Sequence, residues 1–577
     1  MRRASSLTLA FLPLLACLLG ASAPDADQAA AAWQRAQRAL AGAPQQDPAP
    51  EIPAASALLR LDGRVLGHGA ALASPDRSCV DAAMAQAIEQ ASKDAEWLAW
   101  ASRPSSLAEA VTLELELAGE PQPITARTLA DCAAAIRPAL DAMAVRRGAT
   151  MHWIAASRLQ SMGLAARPID GLGLLMRRAG LADADLPSID PAESVAVYRL
   201  DTIRLANSAP GAPPWLAVHG ERTVPMNAVT PSACMAAAER AAGWLDGSFL
   251  LEPGATEPIL LGDYGTIADR RQPMVAGSID RMMAAWAFAE LAARGGERSA
   301  EWRRRSLSLL ERAADPSDDA LTARRSNALR VIAWCALVNC GSDADRAAAR
   351  ERLTAASASL ASTVKEEAPA DAARALELAA AARAQDAGAP LLEPSALHGA
   401  IARAWEELPR ASLVADAEWL LRAATWSELE PPPSPVVLDA LRDILMRAQL
   451  GIGSAPKDLP VDLVGAFQLA SASGQPSVGI SGLRPLAALL RMIGPAPDEA
   501  TRGRIVDACR AGARFVMQVQ VSPDGASLLR RPRRCVGGLR ESLWEPRISV
   551  AGTAAGILVL LDLSNVLPAG TENPDPS

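Results

Sequence analysis

The pattern of apolar and polar positions divides the chain into a part that mixes strands with helices and a later part that is helical. Residues 111–117 alternate strictly between apolar and polar side chains, which predicts a strand with one buried side and one solvent-facing side. Residues 57–61 and 64–67 predict two strands around a tight Asp62-Gly63 turn. Further predicted elements are a helix over 79–91 and strands over 140–150, 195–205 and 215–224. The first half is therefore predicted to be α+β.

After residue 278, apolar residues recur at helical spacing and strand patterns nearly vanish. Helices are predicted to begin at Ser278, after Asp318-Asp319, at Pro394, near Leu413 and after Ser434, with later ones over 484–493, 499–518 and 550–563. Helices of about 12–20 residues, paired by short turns, predict an all-α helical-hairpin toroid or solenoid. We interpret Trp286, Trp334, Trp405, Trp419 and Trp426 as core residues rather than a ligand-lining set.

The first 23 residues have the pattern of a secretory signal: Arg2 and Arg3 precede an apolar run. Two processing routes remain open. Cleavage before residue 24 would release a soluble exported protein, whereas residues 14–17 resemble a lipobox that would put a lipid anchor on Cys17. Without cleavage, the apolar run itself would remain as an anchor. We therefore expect an exported protein, periplasmic or associated with the cell envelope, with no membrane span after the signal. Residues 24–55 are expected to be mostly linker, with one short helix around Trp33, and 568–577 a disordered tail.

Composition excludes several classes of protein. Of the 577 residues, 50% are apolar and 21% charged, which excludes wholesale disorder. The net charge of −8 argues against a nucleic-acid partner. Seven cysteines follow Cys17, and since none lies in a CxxC motif we interpret them as buried free thiols. The four histidines are scattered, and no phosphate-binding or dinucleotide-binding motif is present, so no metal or cofactor is predicted.

Residues 56–165 resemble the AMMECR domain family. The shared order is the strand pair around Asp62-Gly63, a helix, the strand over 113–117 and the segment 140–148. Members of that family have the sequence arginine-glycine-cysteine-isoleucine-glycine near the second strand, whereas this chain has Leu66-Gly67-His68-Gly69 at these positions. The resemblance implies the fold, but not the site of that family.

The helical half resembles the α/α-toroid superfamily of terpenoid cyclases and protein prenyltransferase subunits. The similarity is strongest over 514–520 and 537–544, where a helix, a loop with paired glycines and an aromatic residue precede a last apolar helix. The aspartate-rich motif of the cyclases, the zinc ligands of the prenyltransferases and regular glutamine–tryptophan repeats are missing. The resemblance therefore implies architecture and not activity.

Two places carry candidate ligand-binding residues. Six arginines lie between 530 and 547, and the Gly537-Gly538 turn would place Arg540, Glu541 and Trp544, with Arg547 nearby, at the cavity of a toroid. The alternative is a solvated basic loop with structural arginine–glutamate pairs. In the junction 256–277, Asp263 and Tyr264 would line a cleft between the halves, or form an ordinary turn.

The sequence therefore predicts an α+β domain over 56–255 and a helical domain over 278–567. We favour a non-enzymatic binding or scaffold module of the cell envelope, whose partner is a small molecule, a glycan or an envelope protein. The alternative is an envelope enzyme that processes a glycan, lipid or peptide in the toroid cavity, with carboxylates as acid and base.

Overall fold

The computed structural model describes most of the chain. The described residues are 23–45, 48–100, 102–181, 195–251, 253–254, 257–312, 318–365, 372–407, 413–428, 433–451, 459–470 and 476–568. Cys17, residues 1–22 of the predicted signal and residues 569–577 of the predicted tail lie outside these ranges.

An antiparallel sheet forms the centre of the N-terminal part, with strand order β2-β1-β3-β7-β5-β6. Its strands are β1 (Ala54–Leu61), β2 (Arg64–Leu72), β3 (Thr112–Ala118), β5 (Asp141–Arg147), β6 (Thr150–Ile154) and β7 (Val195–Ala206), and the short strands β4 (Gln122–Pro123) and β8 (Trp215–Leu216) also pair with β7. Asp62 and Gly63 both have positive φ and join β1 to β2, which confirms the predicted hairpin.

Six helices accompany the sheet: α1 (Ala26–Leu40), α2 (Cys79–Ser92), α3 (Ala95–Ala99), α4 (Leu129–Ala134), α5 (Ala156–Ser161) and α6 (Pro168–Arg178). The predicted short helix around Trp33 extends over 15 residues and begins with a capping box between Asp25 and Gln28. Its apolar face packs into the same core as α2 and β1, where Trp33 is 5% exposed. Residues 26–40, expected within a linker, are therefore part of the folded N-terminal part.

The prediction of a solvent-facing side on β3 is wrong. Glu114 and Glu116, the polar residues of the alternating pattern, are both buried. Segments from the second half of the chain cover this face of the sheet: Leu528 packs against Trp215 in one small core cluster. Buried carboxylates require partners: strands β1 and β7 supply arginines for Glu114, and the first turn of α5 supplies backbone N–H groups for Glu116.

The C-terminal part is mostly helical. Its α-helices are α7 (Pro231–Asp246), α8 (Ser278–Ala293), α9 (Ser299–Leu310), α10 (Ala320–Leu337), α11 (Asp343–Lys365), α12 (Ala372–Asp386), α13 (Pro394–Glu407), α14 (Leu413–Trp426), α15 (Pro435–Ala448), α16 (Leu483–Arg491), α17 (Glu499–Val519), α18 (Pro523–Ala526) and α19 (Val550–Val566). Short two-stranded pairs accompany them: β9 (Phe249–Leu250) with β10 (Ile259–Leu260), β11 (Tyr264–Gly265) with β12 (Arg270–Arg271), and β13 (Gln468–Ala470) with β14 (Pro476–Val478).

Six of these helices contact one another in a succession that returns to its start: α8 with α10, α10 with α12, α12 with α14, α14 with α16, α16 with α19, and α19 with α8. Six other helices pack against members of this succession: α7, α9, α11, α13, α15 and α17. One large core cluster joins both sets. It is rich in alanine, and small side chains allow helices to approach closely.

Most helices of the C-terminal part lie where the apolar spacing predicted them. Asp319 caps α10 by accepting a hydrogen bond from the N–H of Thr322, and Pro435 occupies the first turn of α15. Five helices of this part were not predicted from the sequence: α7, α9, α11, α12 and the short α18. The predicted strand over 215–224 is wrong beyond Leu216, because His219 and Gly220 both take positive φ and turn the chain back on itself.

The seven cysteines in the described part of the chain are buried and free, as interpreted from their spacing. Among the described helices, none combines the length and the apolar character needed to cross a bilayer.

Candidate functional site

A cavity of about 580 Å³ lies among the helices of the C-terminal part. Its walls come from α8, α10, α12, α14, α16 and α19, the same six helices that contact one another in succession. The apolar lining includes Ile279, Met283, Trp286, Leu329, Leu376, Trp419, Ile480, Leu483, Ala555, Leu558 and Val559. Predominantly apolar cavities of several hundred Å³ are typical of small-molecule sites.

Two tryptophans form an aromatic corner of this cavity. The ring centroids of Trp286 and Trp419 are 6.0 Å apart. The Nε1 of Trp286 donates a hydrogen bond to Glu290 at 3.0 Å, which fixes the orientation of the indole. Both side chains are buried, so they serve the core as the sequence analysis expected. They also border the cavity, which the sequence analysis did not assign to them.

One arginine of the lining is held by carboxylates. Arg422 donates from Nε to Glu418 at 3.0 Å, and its Nη2 lies 3.4 Å from Asp562. Burial lowers the pKa of Arg422, but the two carboxylates outweigh burial and raise it overall. The guanidinium carbon also lies 5.2 Å from the centroid of the Trp286 ring. The two carboxylates therefore hold the Arg422 guanidinium in place and balance its positive charge.

Two other arginines of the lining differ from Arg422. Arg325 on α10 is half-buried and Arg484 on α16 is exposed. Among the described residues, neither has a carboxylate within the 4 Å ion-pair distance. The cavity therefore combines apolar walls with two arginines that form no ion pair with a described carboxylate.

Of the residues predicted as a site, Glu541 lies in the wall of this cavity. Its carboxylate pairs with Arg547 at 2.6 Å, and its backbone N–H donates to the Arg547 carbonyl at 2.9 Å. The hydrogen bond to Glu541 raises the pKa of Arg547, and this effect is larger than that of burial, which lowers the pKa.

Arg540 and Trp544 lie elsewhere, at the contact between the two halves. Arg540 is 1% exposed, and its guanidinium donates to the carbonyls of His219 and Gln518, both at 3.2 Å. Burial lowers its pKa, against the opposing effect of Glu221. The Trp544 ring lies 5.8 Å from the His219 ring and packs on the N-terminal core. These two residues hold the halves together.

Asp263 and Tyr264 also have structural partners. Asp263 Oδ1 accepts a hydrogen bond from the N–H of Val550 at 2.9 Å, in the first turn of α19. Tyr264 is buried, donates its hydroxyl to Asp269 at 2.7 Å, and pairs through its backbone with Ile548. Burial and the Asp269 carboxylate raise the pKa of the Tyr264 hydroxyl. The junction is therefore joined to the loop that carries Arg540, Glu541 and Arg547.

An acidic residue beside the cavity was not singled out from the sequence. Burial, and then the negative charge of Asp263, raise the pKa of Asp280 to about 6. Its neighbour Ile279 lines the cavity. In sequence, an aspartate in the first turn of a helix is unremarkable because it suits the helix dipole, so no local signal distinguishes it.

The basic segment over 530–534 is held largely by one carboxylate. Asp269 lies 3.9 Å from Arg530, 3.4 Å from Arg531 and 3.1 Å from Arg534. Arg531 also reaches Asp62 of the β1–β2 hairpin at 3.3 Å. The partners of this segment are aspartates and not the glutamates of the alternative stated above, and the Arg531–Asp62 pair ties the segment to the N-terminal part.

No group of three or more potential metal ligands occurs among the described residues. His219 is buried and its Nδ1 lies 2.5 Å from Asp462 Oδ2, an interaction between two residues.

Comparisons with known proteins add little to this geometry. No protein-family model and no curated protein matches the chain. Among solved structures, the chain is similar to an uncharacterised protein, PH0010 from Pyrococcus horikoshii, at 16% identity over 33% of this chain and 94% of that chain, with a TM-score of 0.24. At that TM-score the similarity supports no argument about fold or function. What is shown is an N-terminal part of strands and helices followed by a mostly helical C-terminal part.

Proposed function

We propose that the C-terminal part is an α/α toroid of six helical hairpins. In this arrangement α8, α10, α12, α14, α16 and α19 form the inner ring and α7, α9, α11, α13, α15 and α17 the outer ring. The succession of contacts that returns from α19 to α8 supports the ring, and the position of the cavity among the six inner helices supports its hollow centre.

We propose that the protein is a binding module that takes an organic molecule with an apolar body and an anionic group into this cavity. The observation that carries the proposal is the combination of apolar walls with Arg325 and Arg484, which have no carboxylate partner among the described residues. The apolar body would contact the Trp286–Trp419 corner, and the guanidinium groups would bind the anion. In keeping with the N-terminal signal pattern, we place this activity in the cell envelope.

Two dyes of matched shape test the proposal. 8-Anilinonaphthalene-1-sulfonate carries an apolar body with one sulfonate, whereas N-phenyl-1-naphthylamine has the same body without charge. We expect the sulfonate dye to bind at one site per chain and to quench tryptophan fluorescence, since Trp286 and Trp419 line the cavity. The variant Arg325→Gln/Arg484→Gln should weaken the sulfonate dye about tenfold or more and leave the neutral dye unchanged.

Control variants separate cavity binding from binding at the surface. Ala555→Phe fills the cavity and should abolish binding of both dyes, whereas Ala348→Phe, at an exposed position of α11, should not. Arg352→Gln, also exposed on α11, controls for the loss of positive charge. Equal affinity of the sulfonate dye for the wild type and the double arginine variant would contradict the proposed anion preference. Binding that survives Ala555→Phe would contradict the cavity.

An enzyme of the cell envelope is the second candidate, because two carboxylates, Glu418 and Glu541, lie in the cavity wall. Glu418 is paired with Arg422 at 3.0 Å, and Glu541 with Arg547 at 2.6 Å. A pair of carboxylates is the acid/base set of glycan hydrolysis. Nitrophenyl glycosides and esters test this function: turnover by the wild type that is lost in Glu541→Gln, with dye binding retained, would favour the enzyme over the binding module.

A further inference from the structure

A second, smaller pocket of about 200 Å³ lies between the two halves of the chain. The end of the β1–β2 hairpin, helix α5 and β7 form its N-terminal side, and residues 528–530 with 266–267 form its C-terminal side. Five arginines line it: Arg60, Arg64, Arg158, Arg204 and Arg530. It shares no lining residue with the cavity of the helical part.

Two of these arginines share one carboxylate. Arg60 donates from Nε at 2.9 Å and from Nη2 at 2.7 Å to Glu114, and Arg204 contacts the other oxygen of the same carboxylate. The side chains of Arg60 and Arg204 are 4% and 5% exposed. This group of two buried guanidinium groups and one carboxylate therefore carries one positive charge in excess.

A second acidic group on this face, Glu116, is held by backbone donors. Glu116 accepts hydrogen bonds from the N–H groups of Ala156 and Ser157, at 2.8 Å and 2.6 Å. Burial is the largest influence on Glu116 and raises its pKa, against the opposing effects of the Ser157 and Ala156 hydrogen bonds and the positive charge of Arg204. Of the remaining arginines, Arg64 is paired with Asp94 and Glu96, and Arg530 has Asp269 at 3.9 Å.

Arg158, on α5, differs from the other arginines of the pocket because it has no carboxylate partner among the described residues. It is half-buried, and no carboxylate of the described residues lies within ion-pair distance of its guanidinium. Burial, and then the positive charges of Arg60 and Arg178, lower its pKa. The same field acts on His68 of β2, whose pKa is lowered to about 4 by burial and then by Arg158 and Arg178.

We propose that this pocket binds a small oxyanion, a phosphate group above all, with Arg158 as its principal contact and Arg60 and Arg204 behind it. The planar guanidinium fork matches the geometry of a phosphate oxygen pair, and partial burial strengthens each charge-assisted hydrogen bond. Gln160 also lines the pocket and helps to hold Arg204 in place, because its Oε1 accepts a hydrogen bond from Arg204 at 2.6 Å. Because both halves of the chain contribute to the wall, the bound anion would stabilise their contact.

Calorimetric titration of the full chain with inorganic phosphate, at an ionic strength held constant with sodium chloride, tests the site. We expect one phosphate per chain and a rise in the unfolding temperature that chloride does not reproduce. Arg158→Gln should weaken phosphate at least tenfold, and Arg158→Lys should give an intermediate affinity, because it restores the charge without the fork. Arg403→Gln, exposed on α13, is the control and should bind like the wild type.

Three results would overturn the proposal: no stabilisation beyond that of chloride, equal affinity for phosphate and acetate, or unchanged phosphate affinity in a folded Arg158→Gln protein. Comparable binding of sulfate would support it, since sulfate presents the same tetrahedral oxygens. The site is independent of the ligand proposed for the helical cavity, so dye binding there should be unaffected by Arg158→Gln.

Discussion

Glu221 lies at the contact between the two halves, and its titration should make the free energy of unfolding depend on pH. It is 2% exposed and accepts hydrogen bonds from the hydroxyl of Ser522 and from its N–H, the latter at 3.2 Å. Burial raises the pKa of Glu221 from 4.5 to about 7, although Arg540 acts in the opposite direction. The perturbation that tests this is Glu221→Gln, which keeps a hydrogen-bond acceptor and removes the titration.

The sign and size follow from linkage between protonation and folding. Between pH 4.5 and 7 the folded state holds a proton on Glu221 that the unfolded state has released. The contribution of this proton is therefore fully present below pH 4.5 and lost as the pH rises through 7. The wild type should lose about 3 kcal/mol of unfolding free energy over this window because of this one group. Glu221→Gln should not show this loss.

Urea denaturation at pH 4.5, 6, 7 and 8, followed by tryptophan fluorescence, measures the effect. The unfolding free energy of Glu221→Gln minus that of the wild type should rise with pH by about 3 kcal/mol. Glu239→Gln, at an exposed position of α7, is the matched control and should show no such rise. A difference that stays constant, or that falls with pH, would refute the reasoning, because it would mean that the positive charge of Arg540 and the hydrogen bonds from Ser522 outweigh burial.

Two further predictions concern the same contact between the halves. Glu114→Gln leaves its two arginine partners buried without a carboxylate and should lower the unfolding free energy by about 3–5 kcal/mol in urea denaturation; a loss below about 1 kcal/mol would contradict this. Gly63→Ala places a Cβ 1.7 Å from the carbonyl oxygen of Leu529 at a φ of +75°, so it should both destabilise the chain and increase proteolysis at the junction. Gly148 also has a positive φ, +59°, but a Cβ there would have no atom within 4 Å, so Gly148→Ala measures the backbone strain alone and should lower the unfolding free energy by only about 1 kcal/mol. Equal losses in the two variants would show that the contact with Leu529 is not the cause.

The candidate site was predicted from the sequence only in part. The paired glycines of the loop before α19 drew attention to Glu541, which lies in the cavity wall, and to Arg540, which does not. The difference arises because neighbouring residues of an extended segment point in opposite directions. Nothing local marks Arg325 or Arg484 as cavity residues, because each is an ordinary arginine of a helix in a chain rich in arginine.

The amino-acid sequence by itself determined the hairpin at Asp62-Gly63, most of the helices after residue 278 and the division into two halves. These follow from apolar periodicity, caps and turn residues, which act within a few positions along the chain. Only the tertiary structure decided that both sides of β3 are buried, that six helices of the C-terminal part line a cavity, and that Arg158 has no carboxylate partner among the described residues. Burial and charge balance depend on segments that lie hundreds of residues apart in sequence, such as Leu528 against Trp215, and no local pattern encodes such contacts.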